Sequence, residues 1–520
     1  MLFNSYEFIF FFLPIVLTGF HLLGREGFHR ASMVWLIGAS LFFYGWWNPS
    51  YLGLILFSIL FNYSIGISIS NTSDNQLLKK TILIIGVLGN LILLGYYKYA
   101  NFFIDNLNNL NSSNVILNEV ILPLAISFFT FQQISYLVDA CRGETEEYSF
   151  IHYCLFVTFF PQLIAGPIVH HKEMMPQFAK AAVNKIRSKN LTIGITIFAL
   201  GLFKKVVLAD GISVFATPIF DASEAGVVIT FFEAWMGAFA YTFQLYFDFS
   251  GYSDMAIGIA RMFGIRLPIN FNSPYKATSI IDFWRRWHIT LSSFLRDYLY
   301  FSIGGNRKGK IRRHLNLMIT MILGGLWHGA GWTFILWGGL HGFYLIINHG
   351  WRAFSKNRDK TRINLFFGWI ITFLAVVVAW VPFRSESITS AKNFLQSMLG
   401  LNGIGLPVSL EHVFLNYGLS SIEDIFTYSG MFSNGLYSNN FYAIFWIFTM
   451  FLISILLPNA QQLMRNHNPS LENQNGEIFS SNYKSFEWEK TKFWVFFISI
   501  ILSISVLSLS GESEFLYFQF

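Results

Sequence analysis

Charge is scarce in this chain. Asp, Glu, Lys and Arg make up 12% of its 520 residues, about half the share of a soluble domain, while 54% are hydrophobic and mean hydropathy is +0.48. That combination excludes a soluble globular domain and indicates a polytopic membrane protein. Cysteine is nearly absent. Cys141 and Cys154 are the two, both in a segment that the charge distribution assigns to the cytoplasm, so neither a disulfide framework nor a thiolate metal site is expected. There is no Gly-x-x-x-x-Gly-Lys loop, no His-Glu-x-x-His and no Gly-x-Ser-x-Gly elbow, which removes the usual support for nucleotide hydrolysis, zinc proteolysis and a serine hydrolase. Nothing favours nucleic-acid binding, because the net charge of +6 follows from loop asymmetry. No fixed-period repeat occurs and the halves differ, against a transporter built from inverted repeats. The first apolar run, Phe8 to Leu23, ends in Gly24-Arg25 without a small-residue cleavage site, and reads as a retained first span.

What is present is a series of apolar segments. A span takes about 20 residues at 1.5 Å rise, and twelve segments qualify: 7–24, 32–47, 51–69, 82–97, 119–138, 191–208, 226–247, 315–328, 331–349, 363–382, 441–457 and 493–510. With the N-terminus outside, alternate loops place 30 of the 35 Lys and Arg in the cytoplasm, as positive-inside retention requires. Lys98, Lys204, Lys205, Arg384 and Lys392 are the exceptions. Lys204 and Lys205 fall near the outer end of their span and are expected to snorkel or line a cavity. Both termini are predicted outside.

Two cytoplasmic segments are too apolar for ordinary loops. Phe150 to Ile168, with Phe160-Pro161-Gln162 and Ala165-Gly166-Pro167, reads as re-entrant, since its unpaired backbone groups need a protein-lined, wet cavity. Phe249 to Phe301 includes a helix expected over Trp284 to Tyr300, and both segments are predicted to enclose a funnel open to the cytoplasm. The 35 positions from 315 to 349 are short for two crossings, so a break at Gly324-Gly325 and Gly329-Ala330-Gly331 is expected to set His328 below the outer surface in thinned membrane. Residues 384–440, containing Glu411, Glu423 and Asp424, form the largest external excursion. Their Asn, Gly and Ser content favours a solvated loop over a docking surface. The chain is thus one integral membrane domain, 1–520, and its unusual motifs fall within 120–345.

An ionisable group at bilayer depth is a functional candidate by default. His328, within Gly325-Leu326-Trp327-His328-Gly329-Ala330-Gly331-Trp332, is the first. A core histidine satisfied by a carbonyl would waste free energy there, and a neutral imidazole can take a hydroxyl proton as general base. On a continuous helix Trp284, His288, Ser292 and Arg296 share a face, either a polar stripe on a tunnel wall or an interfacial surface; a positioning role suits His288. His341 falls on the opposite side of a continuous helix from His328 and is secondary. Arg285 and Arg286 belong to a basic rim that could attract a phosphorylated donor. Asp248 and Asp254 read as partners for basic residues. Trp287, Trp327, Trp332 and Asp254 complete the candidate tunnel lining.

The motifs Ser127-Phe128-Phe129-Thr130-Phe131-Gln132, Phe160 to Ile168, Phe247-Asp248-Phe249-Ser250-Gly251-Tyr252-Ser253-Asp254, Asp282-Phe283-Trp284-Arg285-Arg286-Trp287-His288 and Gly325 to Ala330 resemble, in order, those of the membrane-bound O-acyltransferases, in particular the alginate O-acetyltransferase-like bacterial branch. Eukaryotic relatives often carry Asn near the place of His288. The resemblance implies an all-α funnel of about 11–13 transmembrane helices with re-entrant segments, and His328 as the family's tunnel histidine. It further implies acyl transfer from a cytoplasmic thioester, either acetyl-coenzyme A or a carrier-bound acyl group, to an extracytoplasmic polysaccharide hydroxyl. A periplasmic acetyltransferase partner and residence in a bacterial inner membrane also follow. No resident cofactor or metal is implied. The rival reading is a glycan transporter or flippase whose histidines relay protons.

Overall fold

The computed structural model describes residues 1–25, 27–72, 75–111, 120–145, 149–164, 166–180, 187–355, 361–405, 426–427, 440–471, 487–510 and 516. Among them the fold is helical, with one parallel pair of two-residue strands, Ile404–Gly405 and Phe426–Thr427. Every predicted span overlaps a helix, although those at 119–138 and 226–247 begin ahead of theirs, at Ile126 and Phe231. The first six long helices are α1 (Phe8–Arg25), α2 (His29–Gly45), α3 (Tyr51–Asn71), α4 (Gln76–Asn111), α5 (Ile126–Arg142) and α6 (Ser188–Glu224). They continue with α7 (Phe231–Met262), α8 (Gly309–His328), α9 (Trp332–Phe354), α10 (Arg362–Arg384), α11 (Asn440–Leu456) and α12 (Lys492–Leu507). Large apolar side chains such as Phe11, Phe57, Ile92, Phe367, Phe445 and Phe496 point outward, as lipid-facing residues must.

The spine is α7. Its start is fixed by a capping box in which the Thr230 backbone N–H donates to Glu233. Its residues feed both major cores: Tyr252, Met255 and Ile259 pack with α1 to α3, whereas Tyr241, Phe243 and Phe247 pack with α10 and α11. α6 crosses it antiparallel through paired glycines. A Cβ on Gly194 would lie 2.6 Å from the Gly258 carbonyl, and one on Gly201 2.6 Å from that of Gly251. Small residues seven apart on both helices therefore let the backbones touch.

Several expectations are corrected. α6 runs on to Glu224, so Lys204 and Lys205 lie within it, where a π-helical stretch, Lys204–Ala209, interrupts its α-geometry. They neither snorkel nor stand open. Lys204 pairs with Asp254 at 2.7 Å, and Lys205 with Asp248 at 2.6 Å and Asp210 at 2.8 Å. The α8–α9 hairpin is not short: basic residues extend both helices past their apolar parts to 20 and 23 residues, each at least about 30 Å long, so thinning is not required. Its single break is at residues 329–331, while Gly324 and Gly325 remain helical. Part of the external excursion is a docked helix, Ile388–Met398, with Ala391, Phe394 and Met398 buried. Glu411, Glu423 and Asp424 lie outside the described residues.

Candidate active site

The helix expected over Trp284 to Tyr300 is broken. Ile280–Trp284 ends in a turn, His288 takes a left-handed conformation at φ 42°, and helix resumes as Ile289–Phe294 and a π-helical Leu295–Tyr300. Outside glycine such a backbone costs about 1–2 kcal/mol, and backbone pairing with residues 270–272 holds it. Asn272 N–H donates to the Arg286 carbonyl and Ile289 N–H to the Asn270 carbonyl, both at 2.9 Å. Trp284, His288, Ser292 and Arg296 therefore share no helix face. Arg296 forms a two-pronged pair with Asp297 at the surface, and Ser292 donates to the Trp287 carbonyl at 3.4 Å.

The break places His288 at the centre, fully buried, its ring 6.2 Å from that of His328. Its Nδ1 lies 3.1 Å from Asn270 Oδ1, which also accepts from Thr290 Oγ1 at 2.9 Å and from the Thr290 backbone N–H. Because that N–H can only donate, the amide oxygen is the atom facing His288, so neutral His288 carries its proton on Nδ1. Nε2 is left as an acceptor, enclosed and without a partner.

His328 is the last residue of α8. Trp337 and Phe383 flank its ring, each at 5.2 Å, and Trp327 at 5.0 Å. Nδ1 is enclosed without a partner among the described residues, and the residue keeps 7% of its surface exposed. The antiparallel return of α9 brings His341 into the cluster, where Trp337 stands between the two imidazoles. Trp284 donates from Nε1 to His341 Nδ1 at 3.3 Å. Continuous-helix reasoning had set His341 aside; the break at residues 329–331 brings it in. Trp287 is buried against Phe283 and Trp380.

Two residues that sequence reasoning missed hold the end of α8. Tyr99 donates to the Leu326 carbonyl at 2.8 Å, and Lys98 donates to the carbonyls of Trp327 and, at 3.0 Å, His328. A cation on the negative end of the helix satisfies carbonyls that have no intrahelical partner. The remaining candidates lie elsewhere. Trp332 is 55% exposed and donates to Asn106, facing away from the imidazoles. Asp254 is engaged by Lys204 and by Gln461 at 3.2 Å. Arg286 is paired with Asp282 at 2.9 Å, so its charge is already matched, while Arg285 is exposed.

Three histidines thus meet in an aromatic enclosure at the end of a membrane hairpin, with the Nε2 acceptor of His288 left for a substrate. Comparison with known proteins agrees. A family model described as the membrane-bound O-acyltransferase family matches residues 64–384, beyond both ends of the motif-bearing region. The chain is 42% identical to the peptidoglycan O-acetyltransferase of Helicobacter pylori over 100% of its own length and 98% of the relative's. It is 44% identical to the probable alginate O-acetylase AlgI of Pseudomonas aeruginosa over 76% and 75%, and 28% identical to the teichoic acid D-alanyltransferase of Streptococcus thermophilus over 53% and 70%. This chain is an O-acyltransferase and belongs to the membrane-bound O-acyltransferase family.

Proposed function

We propose that this enzyme moves an acetyl group from a cytoplasmic thioester to a hydroxyl of an exported or cell-wall polysaccharide, working in the inner membrane of a bacterium. The observation that carries this reading is the buried pair of His328 and His288, 6.2 Å ring to ring, each with an enclosed ring nitrogen that has no partner among the described residues. Acetyl is favoured over aminoacyl because the O-acetylating relatives match at 42–44% over three quarters of the chain or more, the D-alanylating one at 28% over half.

In this reaction His328 Nε2 takes the proton of the accepting hydroxyl as its oxygen attacks the thioester carbonyl. The carbon–sulfur bond breaks, the ester forms, and the proton passes from the imidazolium to the departing thiolate. His288, with its proton held on Nδ1, cannot donate from Nε2; it accepts a hydrogen bond, so it holds a second hydroxyl of the acceptor rather than the thioester carbonyl. This transfer requires a wet passage past His328 that joins both membrane faces. An extracytoplasmic acetyltransferase that receives the group and hands it to the glycan is a compatible partner.

The test is transfer of labelled acetyl in proteoliposomes. His328→Gln is expected to lower the rate by about 10² to 10⁴, the usual contribution of general base catalysis, while keeping the wild-type melting temperature. Wild-type transfer by that variant removes the base assignment. Translocation of unlabelled glycan without any bond change supports a flippase instead.

A further inference from the structure

Asn270, which orients His288, sits in a run, residues 269–273, that belongs to no helix or strand. Buried polar groups in such a run must find partners from elsewhere in the chain. On one edge residues 286–289 supply them. On the other they come from residues 457–471, well past residue 384, where the match to the family model ends. Leu471 N–H donates to the Leu267 carbonyl at 2.9 Å, and Lys276 donates to the Leu457 carbonyl at 2.7 Å. Between these two ties Asn459 Nδ2 donates to Asn272 Oδ1 and to Ser273 Oγ, each at 3.0 Å.

The buried Asn459 amide has a defined orientation. Its Oδ1 accepts from the Gln462 backbone N–H at 2.9 Å, which can only donate, so both of its own N–H groups face the run. Ser273 is held there at φ 46°, a left-handed backbone that a non-glycine residue keeps only where its surroundings enforce it. Asn272 is the joint. Asn459 holds its side chain, and the Arg286 carbonyl, two residues before His288, holds its backbone N–H. Two positions after Asn459, Gln461 donates to Asp254 of α7 at 3.2 Å, the carboxylate that Lys204 of α6 also holds. Phe249 of α7 stands edge-on to the His288 ring at 4.8 Å. His288 therefore lies between the run and α7, and residues 459–461 tie those two together.

We propose that Asn459 is a positioning residue for acyl transfer: through Asn272 it fixes the run that carries Asn270, and thereby the tautomer and the place of His288. The inference rests on the acyl-transfer reading above. An apolar contact would serve stability alone, whereas a buried amide that commits both N–H groups to one turn specifies position.

The test uses the full chain in proteoliposomes. Asn459→Asp keeps the volume and the oxygen that caps Gln462 but loses both donors to the run. Its kcat is expected to fall about tenfold, as a small displacement near the reacting groups allows, with the donor KM held. Asn459→Ala, which brings no new charge, is expected to do the same and stands in should the carboxylate disturb folding. Arg465→Gln, in the same segment and paired with Glu487, is expected to keep the wild-type kcat. Combined with Asn270→Leu, Asn459→Ala is expected to add no further loss, because both act through one imidazole. Ring nitrogen NMR shifts of His288, identified by their disappearance in His288→Gln, are expected to show a single Nδ1–H tautomer in the wild type and tautomer exchange in the Asn459 variants. Wild-type kcat in both Asn459 variants, an equal loss in Arg465→Gln, losses that multiply in the double variant, or an unchanged His288 tautomer overturns the proposal. The nitrogen shifts need no turnover, so undiminished transfer by His328→Gln removes the base assignment while leaving the positioning of His288 to be read on its own.

Discussion

Residue 270 illustrates how a side chain with no acid–base chemistry of its own sets the chemistry of another. Asn270 Oδ1 gathers three donors, from His288 and Thr290, and so decides which nitrogen of His288 is left to meet substrate. Asn270→Leu keeps the volume but orphans those donors, which costs about 1–3 kcal/mol for an unsatisfied buried group and frees the imidazole to exchange tautomers. Transfer by this variant is expected to fall at least about tenfold, with kcat reduced more than acceptor affinity, in a steady-state assay over a range of acceptor concentrations. His328 and His288 stand out in the sequence, because hydrocarbon penalises an ionisable group and glycines beside His328 are hard to explain otherwise, whereas His341 does not. Asn270 was not. Between Leu267 and Pro274 an asparagine reads as turn chemistry, and its partners lie 18 and 20 positions on.

Among elements, the lesson is about where helices stop. Spacing alone put Trp284, His288, Ser292 and Arg296 on one face; backbone pairing of 270–272 with 286–289 outcompeted the local helix and turned His288 inward instead. That competition is tertiary and leaves no periodic trace. The same holds for the end of α8, where Lys98 and Tyr99, more than two hundred residues earlier, supply the cap. Lys98→Met is expected to release the last carbonyls and let His328 wander, lowering transfer about tenfold or more. Lys98→Arg, which keeps a cation and donors, is expected to restore part of the rate. The α8–α9 hairpin also depends on close backbone approach: a Cβ on Gly342 would stand 2.8 Å from Met318 Sδ, and one on Gly338 would meet the Met321 carbonyl. Gly338→Ala is therefore expected to destabilise the fold by about 1–3 kcal/mol, read as a lower melting temperature in detergent.

For the whole molecule, a series of apolar helices was legible from hydropathy because lipid demands long apolar segments, and their contacts agree with the alternation of loops between two sides. Regions assigned outside meet one another: Phe231 N–H donates to the Gly403 carbonyl, Trp235 to the Met398 carbonyl, and Ser223 lies against Ser390. Regions assigned inside do likewise, as when His21 at the end of α1 reaches the Met262 carbonyl at 3.3 Å. What hydropathy could not disclose is that α6 and α7 touch through glycines and bury ion pairs at their crossing, since each helix alone reads as an ordinary span. Sidedness has a direct test. With Cys141 and Cys154 replaced by serine, a single cysteine introduced at Lys308, beside the basic start of α8, is expected to react with a membrane-impermeant maleimide only in inverted vesicles. One at Asn402 is expected to react only in intact cells stripped of their outer barrier. Reversal of both reactivities inverts the molecule and removes the proposed direction of transfer.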